Sequence, residues 1–178
     1  MSQLTYIASN APLPEVKNSH YKTLSVNEAL SKGISVDEIL LRPGYNRDEP
    51  DAILWSDTEI VFDIDAGIVD DGDFDDDFAI LRLSDATDDV YTEKKYRAYI
   101  EWDCTEGRAK NVIDYIRNQL EHTDEIELWH IWMGIENRPR IRKHTIPIDE
   151  LTPDDVIELE ATNVFSEPPI QYCFIVTR

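Results

Sequence analysis

The densest group of side chains capable of chemistry is a run of aspartates between Asp70 and Asp77. The run reads Asp-Asp-Gly-Asp-Phe-Asp-Asp-Asp and offers six carboxylates within eight residues. Carboxylate oxygens are the ligands that Ca²⁺ and Mg²⁺ prefer in proteins. Gly72 and the aspartates around it are also typical of a turn, so we expect this segment to be a loop.

An EF-hand is the first cation site to compare with this run. Asp71, Asp73 and Asp75 match the first three ligand positions of the EF-hand pattern. Asp76 then stands where the pattern needs glycine, and Arg82 stands where it needs the bidentate glutamate. The sequence therefore excludes an EF-hand, but a weaker Ca²⁺ or Mg²⁺ site formed by Asp71, Asp73 and Asp75 stays open.

Two other interpretations of the acidic run remain beside the cation site. The run is either a surface that pairs with a basic protein or a solvated loop that only keeps the chain soluble. Between Arg47 and Arg82 lie 34 residues with 13 Asp or Glu and no Lys, Arg or His, in a chain of net charge -20. We predict the following partner-binding residues: Asp70, Asp71, Asp73, Asp75, Asp76, Asp77, Trp129 and Arg140.

A second group is basic and follows the period of a strand. Arg138, Arg140, Arg142 and His144 alternate, so they share one face of the predicted strand. On an open sheet we expect the same face to carry Trp129 and three further residues: Tyr99, Glu101 and Glu127. Arginines beside aromatic rings are typical of single-strand RNA binding, but the charge of -20 opposes a phosphate chain and argues against nucleic acid.

Acid–base or nucleophilic chemistry has weaker candidates. His130 shares a strand face with Leu128 and Trp132, which favours a hydrogen-bonded core residue. Cys104 lies at the start of a predicted helix, where the pKa of a thiol can be lowered, although Asp103 and Glu106 oppose that effect. The chain has no GxSxG, HExxH, Walker or GxGxxG motif, so we predict no catalytic residue.

The elements that must position these residues are clearest in the C-terminal half. Hydrophobic periodicity predicts four strands and two helices in the order β-α-β-β-α-β. The strands are 96–102, 126–133, 140–146 and 170–177; the helices start in the capping segment Asp103–Glu106 and at Thr152. That order is typical of a ferredoxin-like, mainly antiparallel sheet with helices on one face. Gly107 in the first turn of a helix costs about 1 kcal/mol relative to alanine, which indicates a close approach to the backbone there.

The N-terminal half has shorter signals. We predict a strand at 4–9, a helix after the capping box Ser25–Glu28, a second short helix from Ser35, and strands near 53–55, 60–62 and 78–83. We therefore expect one α+β domain over 1–178, with an acidic N-terminal elaboration at 1–92 and a ferredoxin-like half at 93–178.

The composition limits the class of protein. The two cysteines, Cys104 and Cys173, form no zinc-ligand pattern, and the first 14 residues lack the features of a signal peptide. We expect a cytoplasmic monomer or homodimer with no cofactor, no nucleic-acid partner and no membrane association.

The leading hypothesis is a non-catalytic module that binds a basic protein, in the manner of an immunity or inhibitor protein. The alternative is a Ca²⁺- or Mg²⁺-binding protein, or a metal-dependent enzyme, that uses the Asp70–Asp77 loop.

Overall fold

A computed structural model describes residues 3–50, 52–56, 61–63, 68–70, 74–83, 91–134, 140–161 and 170–178, with the backbone alone for 56, 61–63 and 68–70. The chain divides into two compact units. The first contains residues 1–17 and 74–178, and the second contains residues 18–73. Among the described residues, no helix has both the length and the apolar character needed to cross a membrane.

The first unit is built on a six-stranded sheet. Its strands are β1 (Gln3–Ser9), β6 (Ala79–Arg82), β7 (Tyr96–Glu101), β8 (Glu125–Trp132), β9 (Arg140–Pro147) and β10 (Ile170–Thr177). They lie in the order β6-β7-β1-β8-β10-β9, and every neighbouring pair is antiparallel except β9 and β10, which are parallel. The helices of this unit are α2 (Glu106–Gln119) and α3 (Pro153–Ala161).

Helices α2 and α3 cover one face of this sheet. The apolar stripe of α2, which includes Val112 and Ile116, is fully buried against Ile7 of β1 and Leu128 of β8. Each helix begins at a capping threonine. Thr105 accepts a hydrogen bond from the Arg108 N–H, and Thr152 exchanges hydrogen bonds with Asp155. The predicted α+β class, the mainly antiparallel sheet and the two C-terminal helices are confirmed.

The second sheet face has its own apolar cluster. Tyr6, Trp129 and Cys173 are buried there, and Leu83 and Tyr91 pack with them. The Trp129 and Tyr6 rings stack with centroids 5.9 Å apart and planes 7° apart. This face is therefore not the open surface that the sequence predicted.

The order β-α-β-β-α-β is present, but the ferredoxin-like arrangement is not confirmed. β1 lies between β7 and β8 and is antiparallel to both, so β7-α2-β8 is a βαβ unit split by the N-terminal strand. In β9-α3-β10 the two parallel strands are direct neighbours, because a helical crossover can return the chain to an adjacent position. The sequence pattern predicted each strand of this six-stranded sheet, whereas long-range pairing decided the order of the strands.

The second unit has short elements. Helix α1 (Val26–Ser31) begins at Ser25 in the predicted capping box, and Gly33 follows it at φ 73°. A 3₁₀ helix (Glu38–Leu41) begins at Asp37 instead of Ser35, because the Asp37 carboxylate accepts the Ile39 N–H. The strand pairs are β2 (Tyr21–Leu24) with β3 (Ile53–Ser56), and β4 (Val61–Asp63) with β5 (Ile68–Asp70). β2 and β5 were not predicted.

Candidate functional site

The end of the acidic run is held in place by a buried arginine. Arg108, in the first turn of α2, is 2% exposed. Its guanidinium donates to the Phe74 carbonyl at 3.1 Å, the Asp103 carbonyl at 3.0 Å and the Asp77 carboxylate at 3.3 Å. A buried guanidinium needs such partners, because an unpaired charge in the interior is costly. Arg108 thus fixes the segment 74–77 to the start of α2.

Gly107 accounts for how closely the segment approaches the helix. A Cβ atom at Gly107 would stand 1.5 Å from Oδ1 of Asp75, a distance that real contacts do not reach. Next to it, the Asn111 side-chain amide donates to the Asp75 carbonyl at 2.7 Å. The close approach that the sequence indicated at Gly107 is therefore confirmed, and the approaching group is Asp75.

Four exposed carboxylates belong to the two segments that Arg108 joins, and we call them the acidic rim: Asp75, Asp76, Asp103 and Glu106. Glu106 makes an ion pair with Lys110 one turn later, and the hydrogen bond from that lysine lowers the pKa of Glu106. Carboxylates at a helix N-terminus are also favoured by the helix dipole. The rim is accordingly a negatively charged surface on a fixed backbone.

The predicted cation ligands are only partly located. Asp71 and Asp73 lie outside the described residues, and Asp70 is the last residue of β5. Asp75 lies against Gly107, and Asp77 is 11% exposed and paired with Arg108. Within the described ranges, no three His, Cys, Asp or Glu residues are grouped so as to hold a metal ion. The cation site therefore stays a prediction.

A buried polar chain on the helix-covered face was not predicted. The Thr5 hydroxyl donates to Oε1 of Glu160 at 2.7 Å and lies 3.0 Å from Nδ1 of His130. Trp102 donates its indole N–H to the same Glu160 oxygen at 2.8 Å. Since Thr5 gives its only hydroxyl proton to Glu160, Nδ1 of His130 carries the proton of the imidazole and donates to Thr5.

Burial decides the protonation of this chain. His130 is 2% exposed, and burial lowers its pKa to about 4, so the imidazole is neutral at pH 7. Burial also raises the pKa of Glu160, while its hydrogen bonds to Thr5 and Trp102 act in the opposite direction. Nε2 of His130 and the indole nitrogen of Trp132 are buried without a hydrogen-bond partner in the described structure. The expectation that His130 is a hydrogen-bonded core residue is confirmed for Nδ1.

Cys104 lies beside the buried polar chain of Thr5, His130 and Glu160. Cys104, His130 and Glu160 line a cavity of about 410 Å³ together with Trp102 and Glu101. Burial raises the pKa of the Cys104 thiol to about 12, and the nearby Glu160 carboxylate adds to that effect. The opposition to a lowered pKa that the sequence indicated is therefore present, but burial is its largest cause and the carboxylate that contributes is Glu160.

Trp129 is not a surface residue. Its ring is 0% exposed, and its indole N–H donates to Glu127 at 2.8 Å. The ammonium of Lys143 lies 4.8 Å from the ring centroid and forms an ion pair with Glu127. Burial opposes ionisation of Glu127, yet hydrogen bonds from Thr92, Trp129 and Lys143 leave its pKa below the usual value. Trp129 thus packs inside the protein, and its position does not support a role in partner binding.

Arg140 and Arg142 are exposed on β9, which lies at one edge of the six-stranded sheet. Between β9 and β10, Arg142 pairs with Tyr172 and Lys143 pairs with Cys173. Between β10 and β8, Cys173 pairs with Trp129. Paired residues share a sheet face, so Arg142 lies on the face opposite Trp129. The prediction that these arginines share a face with Trp129, Tyr99 and Glu127 is wrong, and Arg138 lies outside the described residues.

One feature of the site that was not predicted, the buried Arg108, had a usable signal in the sequence. Arg108 lies four residues before Val112, so a charged residue occupies a position of the apolar stripe of α2. That placement indicates a buried, partnered guanidinium. By contrast, Thr5 and Glu160 are 155 residues apart, and their contact has no local pattern.

A scan against protein-family models finds no match for this chain, and searches of the curated proteins and of the solved structures find none either.

Proposed function

We propose that the protein is a non-catalytic module that binds a basic protein partner, as an immunity or inhibitor protein does. The observation that carries the proposal is the acidic rim, fixed by Arg108 at the end of the most acidic stretch of the chain. The proposal assigns partner contact to the exposed carboxylates of the rim: Asp75, Asp76, Asp103 and Glu106.

Charge supports this choice of partner. The chain carries -20 in total, and 13 of its acidic residues lie between Arg47 and Arg82. Complementary charge accelerates the encounter of two proteins and disfavours wrong partners. A fixed acidic surface also binds at a lower entropic cost than a mobile one, because its backbone is ordered before the partner arrives.

The protonation of the buried groups supports a non-catalytic role. A general base or a nucleophile works best with a pKa near the operating pH. The pKa of His130 is lowered to about 4 and that of the Cys104 thiol is raised to about 12. Near pH 7 the imidazole is a weak base and the thiol is protonated, so neither group is prepared for catalysis.

The experiment is a pull-down from the native cell with three forms of the tagged chain, at low and at physiological salt. The rim variant combines Asp75→Asn, Asp76→Asn, Asp103→Asn and Glu106→Gln. The matched control neutralises four exposed carboxylates elsewhere: Asp114→Asn, Glu121→Gln, Asp149→Asn and Glu150→Gln. Both variants change the net charge by the same amount.

We expect the unmodified chain and the control to retain one basic protein in a salt-sensitive manner, and the rim variant to lose it. Equal retention by the rim variant contradicts the assignment to the rim. Recovery of no basic protein at either salt concentration contradicts the function itself.

Calorimetric titration separates this proposal from the alternative, a divalent cation held by Asp71, Asp73 and Asp75. Titration with Ca²⁺, Mg²⁺ and Mn²⁺ gives heat and a raised melting temperature if the cation site exists, since a ligand that binds only the folded state stabilises it. The binding proposal expects neither effect.

A further inference from the structure

Strand β9 has an exposed outer edge. It is the last strand of the six-stranded sheet, and every residue from Arg140 to Thr145 is exposed. Ile141 is 43% exposed, which is high for an isoleucine in a strand. An exposed edge presents backbone N–H and C=O groups that can pair with another extended segment.

The backbone groups that face outward can be assigned from the register. In a parallel pair, alternate residues of a strand direct both backbone groups to the neighbouring strand. The Ile148 N–H donates to the Thr177 carbonyl at 2.8 Å, which assigns the even-numbered residues of β9 to the pairing with β10. The N–H and C=O groups of Ile141, Lys143 and Thr145 therefore face outward.

The edge is basic in a strongly acidic protein. β9 contains Arg140, Arg142 and Lys143, although the whole chain has 17 Lys and Arg against 37 Asp and Glu. Lys143 pairs with Glu127, but in the described part of the chain neither Arg140 nor Arg142 belongs to an ion pair. Both arginines are exposed, so their positive charge faces solvent at the edge of the sheet.

A groove beside the edge can receive side chains of an added strand. It has a volume of about 580 Å³ between β9 and α3, and its lining combines basic and aromatic side chains with two carboxylates of α3: Arg142, His144, Tyr172, Phe174, Asp155 and Glu158, among others. The Arg142 guanidinium lies 5.9 Å from the Tyr172 ring centroid, which holds its positive charge at the groove.

Charge decides which segment fits the edge. Pairing β9 with a second copy of β9 would bring the basic residues of both copies together, and like charges on paired strands are destabilising. A basic segment is disfavoured for the same reason. An extended segment with carboxylates at alternate positions complements Arg140 and Arg142 on one face.

We propose that β9 binds an acidic, extended segment of a partner protein, which adds to the sheet as a seventh strand. The outward backbone groups of Ile141, Lys143 and Thr145 pair with the added strand, as in other cases of strand addition. Arg140 and Arg142 select its carboxylates. This surface is distinct from the acidic rim, so its test is independent of the proposed function.

The probe is a short fluorescent peptide of alternating glutamate and valine, added to the full chain. Fluorescence anisotropy measures binding at low and at physiological salt, with a lysine–valine peptide and single-stranded oligothymidylate as comparisons. We expect the glutamate peptide alone to bind. Stronger binding of the oligothymidylate overturns the proposal in favour of a nucleic-acid surface, and binding of the lysine peptide also overturns it.

A pair of variants tests the arginines. We expect Arg140→Glu with Arg142→Glu to weaken peptide binding at least about tenfold, because two attractive contacts become repulsive. The control is Lys110→Glu with Arg117→Glu, two exposed positions on α2 that give the same change in net charge. Equal weakening by both double variants shows a general charge effect and contradicts the proposal.

Hydrogen exchange tests the edge itself. With the glutamate peptide bound, we expect exchange to slow at the amides of Ile141, Lys143 and Thr145 and to stay unchanged at Arg142 and His144. Binding without this period-two protection contradicts strand addition, whatever the affinity.

Discussion

Arg108 and Arg142 show how the same side chain has opposite consequences in two regions of one unit. Arg108 is buried at the start of α2, and three hydrogen bonds fix its guanidinium. Arg142 is exposed on β9, where its guanidinium lies near Tyr172 and outside any ion pair of the described residues. The first arginine organises the chain, and the second offers its charge to the outside.

The difference extends to other polar groups of the two regions. The helix-covered interior contains a threonine, a histidine and a glutamate joined by hydrogen bonds, whereas β9 exposes a threonine and a histidine of its own. Burial makes a partner obligatory for a polar group, and exposure lets water replace it. The same substitution can therefore be made at an interior position and at an edge position, and the two changes in the free energy of unfolding can be compared.

The largest effect is expected for arginine. We expect Arg108→Ala to lower the free energy of unfolding by about 3 to 5 kcal/mol, because it leaves Asp77 and two carbonyls without their partner. Arg142→Ala should change it by less than about 0.5 kcal/mol, as is usual for exposed positions. Urea unfolding followed by circular dichroism gives both values, and equal losses would remove the distinction between the two regions.

The buried His130 makes the free energy of unfolding depend on pH. The pKa of His130 is about 4 in the folded protein and near 6.5 when unfolded. The unfolded chain therefore binds more protons between these values, and the free energy of unfolding falls by about 3 kcal/mol as the pH drops from 6.5 to 4. The raised pKa of Glu160 acts in the opposite sense, since its contribution is lost as the pH rises above the ordinary value.

Comparison of variants isolates the histidine contribution. His130→Gln should flatten the profile of unfolding free energy between pH 6.5 and 4. His144→Gln, on the exposed edge, keeps His130 and should keep the slope. An unchanged slope in His130→Gln would show that another group causes the acid sensitivity.

Threonine gives a smaller effect. We expect Thr5→Val to cost about 1 to 3 kcal/mol, because Nδ1 of His130 loses its acceptor and Glu160 loses a donor inside the protein. The same substitution at the exposed Thr145 should be within about 0.5 kcal/mol of the original stability. Thermal unfolding measures both, and a neutral Thr5→Val would show that the buried chain contributes no net stability.

The smallest effect is expected at the contact between Gly107 and Asp75. Gly107→Ala should gain helix propensity, up to about 1 kcal/mol, but it displaces the Asp75 side chain. With Asp75→Ala the obstruction is absent, so Gly107→Ala should then stabilise the protein. A double-mutant cycle should give a coupling above about 0.5 kcal/mol, and additive values would contradict the contact.

The sequence predicted the parts of the fold that depend on local patterns. The stripe of α2, the capping box at Ser25 and the alternation in β7 each have a period or a cap that short-range physics fixes. The order of the strands depends on pairings across the chain, such as Leu4 with Ile131, which leave no local signal. The ferredoxin-like expectation came from the order of the elements alone.

The candidate site was predicted to a smaller extent. Gly107 indicated a close approach because glycine is unfavourable in a helix, and the structure identifies Asp75 as the group that approaches. The sequence did not show what sets the pKa of Cys104, because its burial and the nearby charge of Glu160 from α3 depend on contacts between distant segments. The Thr5 chain joins β1, β8 and α3, and no short segment of sequence contains it.

The position of β1 in the sheet also sets an order for biosynthesis. β1 leaves the ribosome well before its two hydrogen-bonded neighbours, which are β7, beginning at Tyr96, and β8, ending at Trp132. The six-stranded sheet therefore cannot close until most of the chain has been translated, and closing such distant pairs is slow. During that interval both edges of β1 lack the strands that they pair with in the folded sheet.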